Sequence, residues 1–160
     1  DLKPRDIMTR AAFENAMVIP GFVNTHTHSF QSLLKGFCDD RNFFDWRAHG
    51  LYKYGNSLSE HDIYVGALFA FSEMLKNGIT TVCDFFYLND QGNQNAHAVI
   101  KAAKALGIRL VMARTLYDGT EAPARFRETL AQAEANTREL YQEFKEDPMV
   151  SVIPAPHSLH

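Results

Sequence analysis

Met17-Val18-Ile19-Pro20-Gly21-Phe22-Val23-Asn24-Thr25-His26-Thr27-His28 is an apolar run that ends in two histidines one residue apart. Read as a strand, it places alternate side chains on opposite faces. His26 and His28 then point to one side, and Thr25 and Thr27 to the other. Two imidazoles side by side at a strand end can reach one cation, each at about 2.1 Å. The content of Met17, Val18, Ile19, Phe22 and Val23 predicts a strand buried on both faces, as in parallel sheets. Such sheets keep their sites at the carboxyl ends of strands, where these histidines stand. A bare His-X-His is a weak signal and more often a structural pair. The apolar strand before it, and the short helix expected over Ser29–Gly36 with its polar start and glycine stop, turn the reading to metal ligation.

Outward from that strand, helical and extended patterns alternate. Residues 41–54 hold the aromatic set Phe43, Phe44, Trp46, Tyr52 and Tyr54, expected as a loop and helix lying over the end of the first strand. Ser59-Glu60-His61-Asp62 is a capping box with Asp62 in the usual place of Glu. The helix it opens sets Ile63, Ala67, Leu68, Phe71, Met74 and Leu75 on one face, and Asn77-Gly78 stops it. Strands follow over Ile79–Phe86, Ile108–Arg114 and Met149–Ala155. Between them lie a helix over Ala96–Leu106 closed by Gly107, and a long charged helix over Pro123–Lys145. The last has Phe126, Leu130, Ala133, Leu140, Tyr141 and Phe144 as packing positions.

This alternation predicts an α/β fold with a parallel sheet and crossover helices. It leaves two closures: a small open sheet, or about four βα units of a TIM-like (β/α)8 barrel, which needs about 250 residues. Residues 1–16 carry no clear period and stand as an unassigned N-terminal segment. Residues 17–160 would form the barrel half in the second of these closures, and the stop at His160 directly after a strand suggests a piece of a larger molecule.

The chain has 160 residues, of which 46% are hydrophobic and 22% charged, enough for one domain with a core. A net charge of −3 argues against a nucleic-acid surface or a basic membrane face. No run is apolar enough to span a bilayer and no signal peptide opens the chain. Cys38 and Cys83 are isolated, so a reduced, cytoplasmic protein is expected. Partners are then a small-molecule substrate, with no nucleic acid and no membrane, and a homo-oligomer left open.

Three segments together resemble the amidohydrolase superfamily. They are Pro20-Gly21-Phe22-Val23-Asn24-Thr25-His26-Thr27-His28, then Gly78-Ile79-Thr80-Thr81-Val82, then Ala155-Pro156-His157-Ser158-Leu159. Within it the chain looks most like the aminohydrolase (deaminase) branch. Its closest subgroup is formimidoylglutamate deiminase, which has a similar His-X-His-X-Phe-Gln, Phe-X-X-Trp-Arg and Ala-Pro-His-Ser-Leu.

The resemblance implies a metal-dependent hydrolase acting on a non-peptide C–N bond of a small amidine or amino-heterocycle. His26 and His28 would hold one divalent ion, zinc first and iron as the alternative. A third histidine, an aspartate and the glutamate that moves protons would come from later strands. The catalytic base is therefore expected outside the given residues.

The same resemblance assigns substrate contacts to Gln31, Arg47, Tyr87 and His157. Arg47 has a fork suited to a carboxylate. Each also has a plain structural role: a first-turn polar residue, a surface helix arginine, an aromatic lid residue and a strand-end histidine. The chain departs from the deiminase pattern at His160, where an arginine is expected, and at Phe86, where a histidine is. Asp84 is expected to cap a loop, and His49, His61 and His97 to be structural. Two other readings stay open: a purine, pyrimidine or triazine-type deaminase or chlorohydrolase, and a non-catalytic fragment lacking the remaining ligands.

Overall fold

The computed structural model describes residues 14–157. Most of the unassigned N-terminal segment, and His160 with its missing arginine, lie outside the described residues.

Four parallel strands pair in the order β1-β2-β3-β4: β1 (Phe22–Thr27), β2 (Ile79–Phe86), β3 (Arg109–Leu116) and β4 (Val150–Pro156). Consecutive strands are neighbours, so each crossover returns directly beside the strand it left. An irregular helical stretch runs from α1 (Phe43–Trp46) through a π-helical turn at Arg47–Tyr52 into α2 (Lys53–Gly55). The crossover helices are α3 (Glu60–Lys76), α4 (Gln94–Leu106) and α5 (Leu130–Phe144).

The punctuation acts as its chemistry requires. Ser59 Oγ accepts from the Asp62 N–H at 3.2 Å while the Asp62 carboxylate accepts from the Ser59 N–H at 2.8 Å, closing the capping box. Gly107 ends α4 with φ +71°. A Cβ there would meet nothing within 4 Å, so only the left-handed backbone resists a side chain. Gly107→Ala is therefore expected to cost about 1 kcal/mol, seen as a thermal midpoint lower by a few degrees. An unchanged or higher midpoint would remove the strain argument.

Along β2, Val82, Asp84 and Phe86 are buried toward the helices, and Cys83 and Phe85 are half-buried on the other face. Val82, Leu110 and Met112 meet Ala67 and Phe71 of α3 and Val99 of α4 in one core. Burying a side chain such as Phe71 fully is worth about 1.5–3 kcal/mol.

Two expectations of the first strand are corrected. The first strand begins at Phe22, not Met17, and is not buried on both faces: Met17 and Val18 are 86% and 83% exposed, and Phe22 and Val23 lie open as well. β1 is the edge of the described sheet, so its outer side has no neighbour to bury these residues. The short helix expected after His28 is present, as a 3-10 helix over Ser29–Leu34.

The long helix is two pieces. A 3-10 turn at Ala124–Phe126 precedes α5, which starts after Thr129 in its own capping box with Gln132. The break comes where the Glu128 N–H bonds the Tyr117 carbonyl at 2.9 Å and its side chain turns inward. Of the expected packing positions Phe126, Ala133 and Leu140 are buried, whereas Leu130 and Tyr141 are exposed.

Candidate active site

The register of β1 on β2 builds the site. Pairing slips between Asn24 and Thr27, so that Thr27 stands opposite Asp84 and His28 falls beside Phe85. The Asn24 side chain accepts from the His26 N–H at 3.1 Å and supports this irregular strand end. His26 and His28 do face the same way: their Nε2 atoms are 3.3 Å apart and their rings meet edge to face at 4.8 Å.

His28 Nδ1 lies 2.7 Å from the Phe85 carbonyl oxygen. A carbonyl only accepts, so Nδ1 carries the hydrogen and the neutral ring keeps a bare Nε2 aimed at His26. Burial, helped by neighbouring His26 and opposed by the Phe85 carbonyl, lowers the His28 pKa below its ordinary value and favours that neutral form.

This geometry fits a cation. Two nitrogens, each about 2.1 Å from one tetrahedral centre, lie about 3.4 Å apart. The backbone carbonyl behind His28 is the outer hydrogen bond that fixes a ligand ring. Among the described residues no group of three His, Cys, Asp or Glu gathers, so the pair supplies only part of a closed set.

Asp84 is fully buried beneath the turn. It accepts from the Ser29 N–H at 3.0 Å and from the Ser29 hydroxyl, which anchors the segment just after His28. Burial pushes its carboxyl up to about 6, against the pull of these bonds. The expected loop-capping role matches this placement. His97 bridges the Asn93 carbonyl and Glu143, each at 2.8 Å, as expected of a structural residue.

A cavity of about 290 Å³ opens over the histidine pair. Gln31, Arg47, Tyr87 and His157 all line it with His26 and His28, so the six residues singled out in the sequence share one space. Gln31 Nε2 bonds the Tyr87 hydroxyl. Burial holds the Tyr87 phenol far above its ordinary pKa, so it stays neutral. Arg47 opens the π-helical turn and lies over the Phe44 and Tyr52 rings, at 5.4 and 5.3 Å. Its guanidinium is thus no plain surface group.

Phe86 faces away from this space. It is fully buried against Phe30, and Phe85 is the residue of that pair beside His26 and His28. The departure noted at Phe86 therefore concerns a core position. Sequence reasoning missed Phe85 and Tyr117. Both stand at the carboxyl end of a strand, the rule that found His28, and the parity of β2 separates Phe85 from Phe86. Trp46 and Tyr52, noted only as part of an aromatic cover, complete the wall.

Comparison with known proteins adds to the geometry. The family described as "Amidohydrolase family" matches residues 17–159. A 5-methylthioadenosine/S-adenosylhomocysteine deaminase of Syntrophobacter fumaroxidans is 31% identical over 89% of this chain and 30% of its own length. Its counterpart in Thermoanaerobacter pseudethanolicus is 33% identical over 87% of this chain and 30% of its own length. The chain thus spans under a third of the curated relatives it matches.

Among solved structures, an adenosine deaminase from Xanthomonas campestris with bound zinc superposes with a TM-score of 0.73. It is 26% identical, covering 86% of this chain and 29% of its own. A triazine hydrolase from Arthrobacter aurescens has a TM-score of 0.78 at 22% identity, over 88% of this chain and 34% of its own, a likeness of fold.

Proposed function

This chain belongs to the amidohydrolase family, its four βα units forming part of a (β/α)8 barrel, and on that premise we propose that it contributes two metal ligands and a substrate pocket to a hydrolytic deaminase. The reaction replaces an amino group on an sp² carbon next to nitrogen and releases ammonia. The observation that carries this reading is the convergence of His26 Nε2 and His28 Nε2 at 3.3 Å under an aromatic cavity. One divalent ion, zinc before iron, would be held by His26 and His28 and would supply Lewis acidity that activates water for attack.

The chain's own residues shape the remainder of the cavity. The Phe85 carbonyl keeps His28 in the tautomer that offers Nε2. Phe85, Tyr87 and Trp46 exclude water and give a flat substrate faces to lie on. Gln31, Tyr87 and His157 supply polar atoms that orient it. The proton-moving group and the remaining ligands lie outside the described residues. Cys38 and Cys83 stand unpaired, which supports placing the reaction in a reducing compartment, the cytoplasm.

The aromatic walls favour a flat amino-heterocycle, and the names of the relatives point the same way. Arg47 favours a second substrate: a carboxylated amidine such as formimidoylglutamate, gripped by the guanidinium fork.

One assay separates the two. Ammonia release is measured on the metal-loaded full-length protein with 5-methylthioadenosine, an aminotriazine and formimidoylglutamate, before and after Arg47→Ala. For a carboxylated substrate, a charge-assisted bond worth about 1.5–3 kcal/mol predicts a kcat/KM loss of about ten- to a hundredfold, mostly in KM. For a neutral heterocycle the loss stays within about threefold. Absence of ammonia release from amidines and aminoheterocycles alike would overturn the deaminase reading.

A further inference from the structure

His157 lines the same cavity as His26 and His28, and its ring is backed by Tyr117. Tyr117 stacks on it face to face, with centroids 3.7 Å apart and planes within 3°. The strand ends agree with the stack: the His157 N–H bonds the Leu116 carbonyl at 2.9 Å, and the Tyr117 carbonyl accepts from the Glu128 N–H at 2.9 Å. Tyr117 is itself buried, only 3% exposed.

Its hydroxyl is tied from two sides. Tyr117 Oη lies 3.0 Å from Glu121 Oε1 and 2.7 Å from Tyr52 Oη. The Glu121 carboxyl is held below its usual range by its own backbone N–H and by the Tyr117 hydroxyl, so it is ionised and only accepts. Tyr117 must then donate to Glu121 and accept from Tyr52. The order runs from the Tyr52 hydroxyl to the Tyr117 hydroxyl to the Glu121 carboxylate. It leaves the Tyr52 oxygen, on the cavity wall, with lone pairs alone for a donor on the substrate.

We propose that Tyr117 is the positioning residue for His157, its stacked ring fixing the plane of the imidazole toward the substrate. The kinetic part of this inference rests on the deaminase reading; the stack itself does not. A face-to-face contact places the His157 ring protons in the shielding cone of the Tyr117 ring. Misplacement of an orienting group by an ångström costs on the order of a hundredfold in rate.

The test joins a spectroscopic and a kinetic measurement on the full-length protein. In histidine-labelled protein, NMR is expected to show one imidazole whose ring protons are shifted upfield, absent in His157→Gln. The shift persists in Tyr117→Phe and is lost in Tyr117→Leu. With whichever substrate the ammonia-release assay identifies, Tyr117→Phe keeps kcat/KM within about threefold, while Tyr117→Leu loses about ten- to a hundredfold. The Tyr117→Leu/His157→Gln double variant is no worse than His157→Gln alone.

Absence of the upfield resonance from the wild-type protein overturns the proposal, and this arm serves even if Tyr117→Leu does not fold. Additive losses in the double variant overturn it too. If no substrate is turned over, the deaminase reading fails while the NMR result still decides the stack.

Discussion

Replacing His28 by alanine is expected to empty the proposed metal site, and to abolish the proposed hydrolysis with it, while leaving the fold in place. The two Nε2 atoms stand 3.3 Å apart, so in the proposed site each would be half of a chelate that neither can form alone. Loss of an outer hydrogen bond to a metal ligand already costs about 10- to 100-fold in affinity, and loss of the ligand costs more than that.

The fold should tolerate the change. His28 lies just past β1 as the cap of a 3-10 turn, and the turn is held by Asp84 through Ser29, independently of the imidazole. The Phe85 carbonyl loses its partner, a loss of about 1–3 kcal/mol if it stays dry. The measurement is metal content by mass spectrometry after dialysis against a calibrated zinc chelator, with a thermal melt as the control for folding. Thr25→Ala, on the other side of the same strand, is expected to keep both metal and melt. Retention of metal by His28→Ala at wild-type affinity would remove the histidine pair from the site.

How much of this was legible in the chain depends on whether a signal was local. The helix ends at Asn77-Gly78 and Gly107 were, because a left-handed backbone is cheap only for glycine and leaves its mark in the sequence. The facing of His26 and His28 was too, because strand parity is a local property. The start of β1 was not. Met17 to Ile19 are apolar enough for a strand, but pairing depends on where Ile79 can reach, and Phe22 is the first residue it meets.

Leu130 and Tyr141 fit the helical period of α5 and lie exposed, because periodicity names a face without naming what covers it. The position of Arg47 over two aromatic rings follows from a π-helical turn, which no residue pattern announces. The break before α5 had a local signal in Thr129-X-X-Gln132. Its reason is tertiary, since Glu128 has to turn inward to meet Arg114.

That meeting sets the second large effect. Arg114 of β3 and Glu128 are wholly buried, their side chains 0% and 1% exposed, and they pair through two bonds of 2.8 and 2.9 Å. Arg114 also donates to the Asn93 side chain at 2.8 Å and the Gly92 carbonyl at 2.9 Å, and Glu128 accepts from Asn136 at 2.6 Å. The cluster therefore joins β3, the start of α4 and the first half of α5.

Glu128→Ala leaves a guanidinium in the interior without its counter-charge and is expected to cost about 3–5 kcal/mol. That is a large part of the about 5–15 kcal/mol that holds a domain folded. Arg114→Met combined with Glu128→Leu removes both charges and should restore part of the loss, because the burial of unpaired charge, not the absence of attraction, dominates the single variant. The asparagines left without partners keep the restoration incomplete. Denaturant unfolding of wild type, both single variants and the double variant measures this as a cycle, and strictly additive losses would refute it.

The same cycle reaches the site. The Glu128 N–H holds the Tyr117 carbonyl, so a chain that swings out when its carboxylate is lost takes Tyr117 off the His157 ring. Glu128→Ala is thus expected to lose the shielded imidazole resonance even at temperatures where it remains folded. The double variant, with its apolar pair packed back inside, should recover that resonance along with its stability.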